Sequence, residues 1–470
     1  MVVSTTTDTN PQWEVVQKNG YKIYQSGSHI NGNFIQVFAP DCPYHDKDGK
    51  IQLKLITYLH GFALCIPEFY ECHLEELVHK GYYIFFPDFQ KSKYEDDING
   101  KKSPDTGEKK SRFSYWFSLL KNVVTKGKKF QIEEFLGKEH KVLKRGFAIQ
   151  RKLFHRPRAT YFRIALALLL FIVVINVLFG WFKRKYAKNL IHLISTVAYS
   201  LMYEPQDWIE NAITMTKEGW EKICEDNPTF AQKDFEFYVF GHSLGGLLAL
   251  SWPAFIGNSK DPFFPKQVIT ADPAPSTEMG IPQIAIWILK IVGLPFVKAP
   301  INITKTGAKL NMPVAIMHGA DDKIVKPAFW IKRSFWTKKS NFDYIESKQK
   351  KIYFSLSNKN NKPPLVAFHN QAVTDTSYYD DALFKNLGGV KKGADDYNIQ
   401  YVWPGVDLIV TGEARADELL NKFPLQTIRV TETLPTKPWN ILILIAIITL
   451  IAILGSGYSW LLHSGNVFSL

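Results

Sequence analysis

The chain has 470 residues, 46% of them hydrophobic and 21% charged, a globular composition that excludes disorder, collagen and a disulfide-stapled miniprotein and leaves room for two or three domains, or one large domain with insertions. Its net charge of +13 is local: residues 90–190 hold 24 Lys or Arg against 8 Asp or Glu, yet carry no RRM, KH, zinc-finger or homeodomain pattern, so no nucleic-acid partner is expected. Cys42, Cys65, Cys72 and Cys224 form no CxxC pair and no zinc spacing with histidine, so no metal or cofactor is expected and a reducing compartment is the plainer reading.

The N-terminal MVVSTTTDTNPQW has neither the basic nor the apolar stretch of a secretory signal. Residues 53–58 read as a strand running into His60-Gly61-Phe62. Residues 67–79 read as a helix with Phe69, Cys72, Leu74, Leu77 and Val78 available to one face, and residues 82–86 as a second strand stopped at Pro87. A basic insertion follows. Within it residues 164–182 form a 19-residue run without a charge, flanked by Arg156, Arg158 and Arg163 before and Lys183, Arg184 and Lys185 after, long enough to cross a bilayer. Residues 189–203 form a short uncharged arm. As a helix it spans only ~22 Å of a ~30 Å hydrocarbon core, so a re-entrant or in-plane arrangement of the run is expected, with this arm returning.

Beyond the insertion the chain alternates helix-like and strand-like patterns, the signature of a mostly parallel sheet covered by helices. Residues 207–224 read as a helix with Trp208, Ile209, Ile213 and Trp220 apolar, and residues 235–240 as a strand running into GHSLGGLLAL. There Gly241, Ser243 and Gly245 match G-x-S-x-G in the strand, tight turn and helix context that it requires: a serine must project its hydroxyl above the sheet, and flanking side chains would clash. An oxyanion needs preorganised N–H donors. In such a fold these are the backbone amides of Leu244 and Phe62, with Ala63 as a substitute, while His60 reads as a loop support.

Further strands are expected at residues 267–270, 313–317 and 351–355. Asp322, in HGADDKIV, follows the second of these and is the expected acid, with its neighbour Asp321 to be ruled out and Asp272, after the preceding strand, as the alternative position. After Asp322 only His369 and His463 remain, and His463 lies in an apolar tail, so His369 is the expected base. No Asp, Glu, Lys or Arg occurs from residue 438 to 470, the stronger transmembrane candidate of the two. Arg415, Lys422, Arg429 and Lys437 precede it and none follows, which places the catalytic domain on the cytosolic or matrix-like face.

LITYLHGF, EFYECHLEELVHKGYYIFFPDFQ, VFGHSLGG, HGADDKIV and a late histidine together resemble the α/β-hydrolase superfamily. The likeness is to bacterial-type hydrolases with an HG strand end and an F/YP-x-F/YQ element, distantly similar to dienelactone-hydrolase and polyester-hydrolase relatives, and it covers about residues 50–90 and 205–380. It implies an α/β-hydrolase fold, with Ser243 as nucleophile, Asp322 as orienting acid, His369 as general base, and Phe62 and Leu244 as oxyanion donors. The expected organisation is residues 1–90 and 205–436 as the two parts of that domain, 91–204 as a membrane-associated insertion, and 437–470 as a C-terminal anchor. Two readings follow. One is a membrane-anchored serine hydrolase of esters, thioesters or lipids in the endoplasmic reticulum or a mitochondrial membrane, with the lipid bilayer and an ester or lipid substrate as partners. The other is a catalytically silent subunit of a membrane complex that keeps the fold.

Overall fold

The computed structural model describes residues 12–96, 190–378 apart from 280 and 282, and 390–435. Its strands are β1 (Glu14–Lys18), β2 (Tyr21–Ser26), β3 (Ile35–Pro40), β4 (Leu53–Leu59), β5 (Tyr83–Pro87), β6 (Phe235–His242), β7 (Gln267–Ala271), β8 (Val314–Gly319), β9 (Lys350–Leu356) and β10 (Arg429–Thr431). They form one sheet in the order β1-β2-β3-β5-β4-β6-β7-β8-β9-β10. From β5 to β9 neighbours are parallel. The first three strands form an antiparallel meander whose last member pairs antiparallel with β5, and β10 closes the other edge antiparallel to β9.

A parallel strand covered on both faces has to be buried throughout, and β4 is buried at all seven positions. Its alternation sorts the core. Leu53, Leu55 and Leu59 join the layer under α3 (Pro205–Asp226) and α4 (Leu244–Ile256), with Trp208, Ile209, Leu247 and Trp252. Ile56 and Tyr58 join the layer under α1 (Glu71–His79) and α6 (Trp403–Thr411), with Leu74, Leu77, Val406 and Ile409. Lys54 is the exception in β4, and its buried ammonium is satisfied by Glu236 at 2.8 Å and by the Val410 carbonyl, as a buried charge requires.

The chain passes from β4 outward to β5, then crosses back so that β6 pairs with β4 on its other side, Leu53 opposite Phe235 through Leu59 opposite Gly241. In open α/β sheets, ligand sites lie beyond the carboxyl ends of the strands at such a reversal. That edge carries the His60-Gly61-Phe62 loop, Ser243, Asp272 and Asp322.

Two expectations change. The segment 67–79 is a 3-10 turn (Pro67–Phe69) followed by α1, with Tyr70 at the break in a non-helical conformation (φ −126°, ψ 4°). The arm 189–203 contains α2 (Leu190–Ser200), and its second half is not a bilayer arm: Thr196, Tyr199 and Ser200 are buried in the protein. The reason is polar satisfaction, since Thr196 hydrogen-bonds the Cys65 thiol and Ser200 Oγ accepts from Gln90 Nε2 at 3.2 Å. The runs 164–182 and 438–470 lie outside the described residues. Among the described residues no helix is long and apolar enough to cross a membrane.

Candidate active site

Between β6 and α4 the chain reverses at one residue, Ser243, with φ 55° and ψ −114°. Such a backbone in a non-glycine residue costs on the order of 1–3 kcal/mol and needs surroundings that enforce it. Here the Ser243 N–H donates to the Ala271 carbonyl at 2.9 Å, and the Ser243 carbonyl accepts from Ala274 and Leu247. The flanking glycines are sterically required. A Cβ on Gly241 would fall on the carbonyl of Gly245, and one on Gly245 on the carbonyls of Leu59 and His60.

The turn brings Ser243 to the late loop. Ser243 Oγ lies 2.7 Å from His369 Nε2, and His369 Nδ1 lies 2.7 Å from Asp322 Oδ2. With Nδ1–H donating to the carboxylate, Nε2 is left to accept the serine proton. The other oxygen of Asp322 accepts from the amides of Ile324 and Val325 at 2.8 and 3.1 Å, which fixes its plane. Burial opposes the charge on Asp322, but His369 outweighs it and holds the carboxyl below its usual range. Burial likewise opposes protonation of His369, and Asp322 outweighs that, raising it above an ordinary histidine. His318, at the end of β8, donates from Nε2 to the Val325 carbonyl at 2.7 Å, and burial lowers it to about 4, so it packs beside Asp322 as a neutral ring.

The alternatives separate clearly. Asp272 is buried with φ 48°, and Oδ1 accepts from the Gly319 amide at 2.7 Å. Burial, and then the charge of Asp322, push it up to about 8, which favours its protonated form and sets it apart from Asp322. Asp321 faces away and accepts from Ser357 Oγ at 2.7 Å. His463 lies outside the described residues.

Among the described residues, the amides of Phe62 and Leu244 have no intramolecular acceptor, whereas the Ala63 amide already donates to Gln90 Oε1 at 2.8 Å. Ala63 is therefore a correction to the expectation, and the free pair is Phe62 and Leu244. His60 is a support. Its Nδ1–H donates to the Gly61 carbonyl at 2.8 Å, its ring stacks on Phe89, and its Nε2 lies 3.3 Å from Asp88. Asp88 also receives His29 at 2.6 Å. Burial opposes its charge, but the hydrogen bond from His29, with His60 close by, keeps it below the usual carboxylate range.

Two residues that sequence reasoning missed tie these loops together. The Gly61 amide donates to the Tyr70 hydroxyl at 2.8 Å, the hydroxyl donates to His242 Nδ1 at 2.9 Å, and His242 Nε2–H donates to the His369 carbonyl at 2.8 Å. Burial, and then the neighbouring His369, lower His242 to about 3, so it serves as a neutral connector. The only available signal was position: His242 sits inside the G-x-S-x-G turn itself.

Among the described residues, two buried groups bring three metal-ligand side chains within 4.8 Å of one another: His60, Cys65 and Asp88, and Asp272, His318 and Asp322. In the first, Cys65 is hydrogen-bonded with Asp88, Ser92 and Thr196, and Asp88 accepts from His29. In the second, Asp322 is committed to His369 and one nitrogen of His318 to Val325. Both read as hydrogen-bond networks.

The reversal in strand order, the strand-serine-helix turn and the chain order Ser, Asp, His define an α/β-hydrolase fold. No family model matches the chain, and no curated protein is similar to it in sequence. Solved structures similar to it include a monoacylglycerol lipase of Paleococcus ferrophilus, with 11% identity, a TM-score of 0.34, and coverage of 79% of this chain and 97% of that one. Another is a soluble variant of the monoglyceride lipase of Saccharomyces cerevisiae, with 12% identity, a TM-score of 0.31, and coverage of 81% and 94%. A third is TT1662 of Thermus thermophilus, with 13% identity, a TM-score of 0.33, and coverage of 71% and 89%. At such identities and scores the fold rests on the chain's own topology and geometry.

Proposed function

We propose that the protein is a membrane-anchored serine hydrolase that cleaves ester, thioester or lipid substrates through an acyl-enzyme. The observation that carries this reading is the continuous chain Ser243–His369–Asp322, with both links at 2.7 Å, beside the two free amides of Phe62 and Leu244. Ser243 Oγ attacks the acyl carbonyl while its proton passes to His369 Nε2. The imidazolium so formed is stabilised by Asp322, and the oxyanion is stabilised by the two amides. Collapse expels the alcohol or thiol, which takes the proton from His369. Water, deprotonated by the same nitrogen, then attacks the acyl carbon and releases the acid and Ser243. The apolar runs 164–182 and 438–470 support attachment to the endoplasmic reticulum or a mitochondrial membrane, with the hydrolase domain on the cytosolic or matrix-like face.

The test is labelling of the detergent-solubilised full chain by a fluorophosphonate. Wild type should label at Ser243 and hydrolyse short acyl esters, and Ser243→Ala should do neither. A folded wild-type chain that remains unlabelled over hours would leave the structural-subunit reading in its place.

A further inference from the structure

Two segments rise from the edge of the sheet that carries Ser243 and Asp322, and neither takes part in the chemistry. One is α5 (Gln283–Val292), which follows the carboxyl end of β7. The other is the loop after β8. Because β7 and β8 are parallel neighbours, both leave the sheet at the same edge, and the Trp330 indole N–H donates to the Pro273 carbonyl at 2.8 Å, joining the two loops.

Each presents large apolar side chains to solvent. On α5, Ile284 is 70% exposed and Trp287 62% exposed, and Ile291 continues the same ridge at i, i+3 and i+7. In the loop, Phe335 is 76% exposed and Trp336 87% exposed, in edge-to-face contact at 5.3 Å. Solvated loops do not need such residues. Charge supplies the second observation. Residues 323–342 contain six Lys or Arg and no Asp or Glu. Among the described residues only Arg333 of the six is paired with a carboxylate, Asp343 at 3.9 Å. The Lys338 ammonium lies over the Phe335 ring at 4.7 Å. Lys332, Arg333 and Lys339 line an open groove of about 820 Å³ together with Phe329, Phe335 and Tyr344.

Aromatic rings interleaved with unpaired cations match an interface in which anionic headgroups lie above acyl chains. We infer that α5 and residues 329–339 form a docking surface for an anionic lipid bilayer. A nucleic acid or an acidic protein would use the cations but leave the Ile284, Trp287 and Ile291 ridge in water. The inference deepens the proposed function and rests on it for one consequence, that acyl substrates reach Ser243 from the bilayer. Docking itself does not require Ser243.

The test uses the full chain, with Cys42, Cys72 and Cys224 changed to Ser and an environment-sensitive NBD fluorophore placed through Thr337→Cys. The protein is reconstituted in phosphatidylcholine vesicles with or without phosphatidylserine, each with or without a shallow doxyl-lipid quencher. With phosphatidylserine present, emission should shift to the blue and the doxyl lipid should quench it several-fold. High salt, or Lys332, Arg333, Lys338 and Lys339→Glu together, should restore the water-like signal, and a label at Asp234→Cys, just ahead of β6 at the opposite edge, should remain water-like throughout. A label at 337 that stays water-like in both lipids overturns the inference. So does one already shielded in detergent, where another segment or a second copy is the cover, or one that responds to an added polyanion but to neither lipid. Ser243→Ala should dock as wild type does, so a failure of the hydrolase reading and a failure of docking are told apart.

Discussion

Tyr70 and His242 share a 2.9 Å hydrogen bond that joins the loop after β4 to the turn after β6. Through it the amide of Gly61, next to the proposed oxyanion donor Phe62, is held to the same connector that carries the His369 carbonyl. The electrophilic and basic halves of the site are thereby positioned by one neutral relay.

Tyr70→Phe should therefore disturb geometry without removing a reacting group. It leaves the Gly61 amide and His242 Nδ1 without their shared partner, which predicts a fall in kcat on the order of tenfold. KM should change little, and fluorophosphonate labelling should be slower but present. Steady-state kinetics with a short acyl ester check this. An unchanged kcat would show that the relay holds the fold and not the site.

For the acid, Asp322→Asn should lower kcat by on the order of 10⁴, because the imidazole is left in the wrong tautomer. Asp272→Asn should lower it far less, since a carboxyl whose protonated form is favoured and that accepts from Gly319 is already close to an amide. The two variants measured side by side decide the assignment.

The pH dependence follows from the sign at His369. A base must be neutral, and Asp322 holds this one above an ordinary histidine, so kcat/KM should rise with pH along a limb displaced to the alkaline side of 6.5. Measured in Asp322→Asn, that limb should move toward lower pH as the stabilising charge disappears.

Asp272 predicts a different profile, in stability. Its carboxyl goes from an ordinary 3.8 to about 8 in the folded chain. Between those values the folded state keeps a proton that the unfolded state has released, so stability declines as pH rises from about 4 to about 8 and then levels off. Asp272→Asn should raise the apparent melting temperature above pH 8 by several degrees and leave it nearly unchanged below pH 4.

The proposed membrane attachment carries a topological prediction. β4 and β5 precede the insertion and β6 follows it, yet β4 bonds to both of its neighbours. On that proposal, both ends of the insertion belong on the same side of the membrane. Cysteines introduced at Ser111 and Asn189 should thus both react with a membrane-impermeant maleimide from the domain side, and one at Ser469 from the opposite side.

Hydrophobic pattern was enough to read the parallel strands, because a buried parallel strand is largely apolar, and motif spacing singled out Ser243, because the serine turn tolerates little but glycine beside it. The choice of Asp322 over Asp272 leaned on analogy with the fold, and the structure brings Ser243, His369 and Asp322 together. The meander β1 to β3 was not legible: β1 is an edge strand with Val15 exposed and no strong pattern. Neither was the role of Tyr70, since residues 67–79 carry helix-like spacing, and only the packed structure breaks that helix where the hydroxyl is needed. The second half of α2 reads as an apolar arm until Thr196 and Ser200 meet Cys65 and Gln90.

Lys54 and Glu236 are 182 residues apart in the chain, with the whole basic segment between them. During synthesis β4 and β5 emerge long before β6, and at ~5–20 residues per second the open flank of β4 waits on the order of 10 to 40 s for its partner. Joining the ends of so long a loop adds little entropy cost relative to a shorter one. What grows is the time an apolar strand edge stands open to wrong neighbours. Until Glu236 arrives, Lys54 is a lone cation near the start of that strand, and a charge there discourages pairing with anything that cannot neutralise it. The same ion pair that joins β4 to β6 in the closed sheet thus leaves, before closure, a charge on the open strand that disfavours wrong pairing.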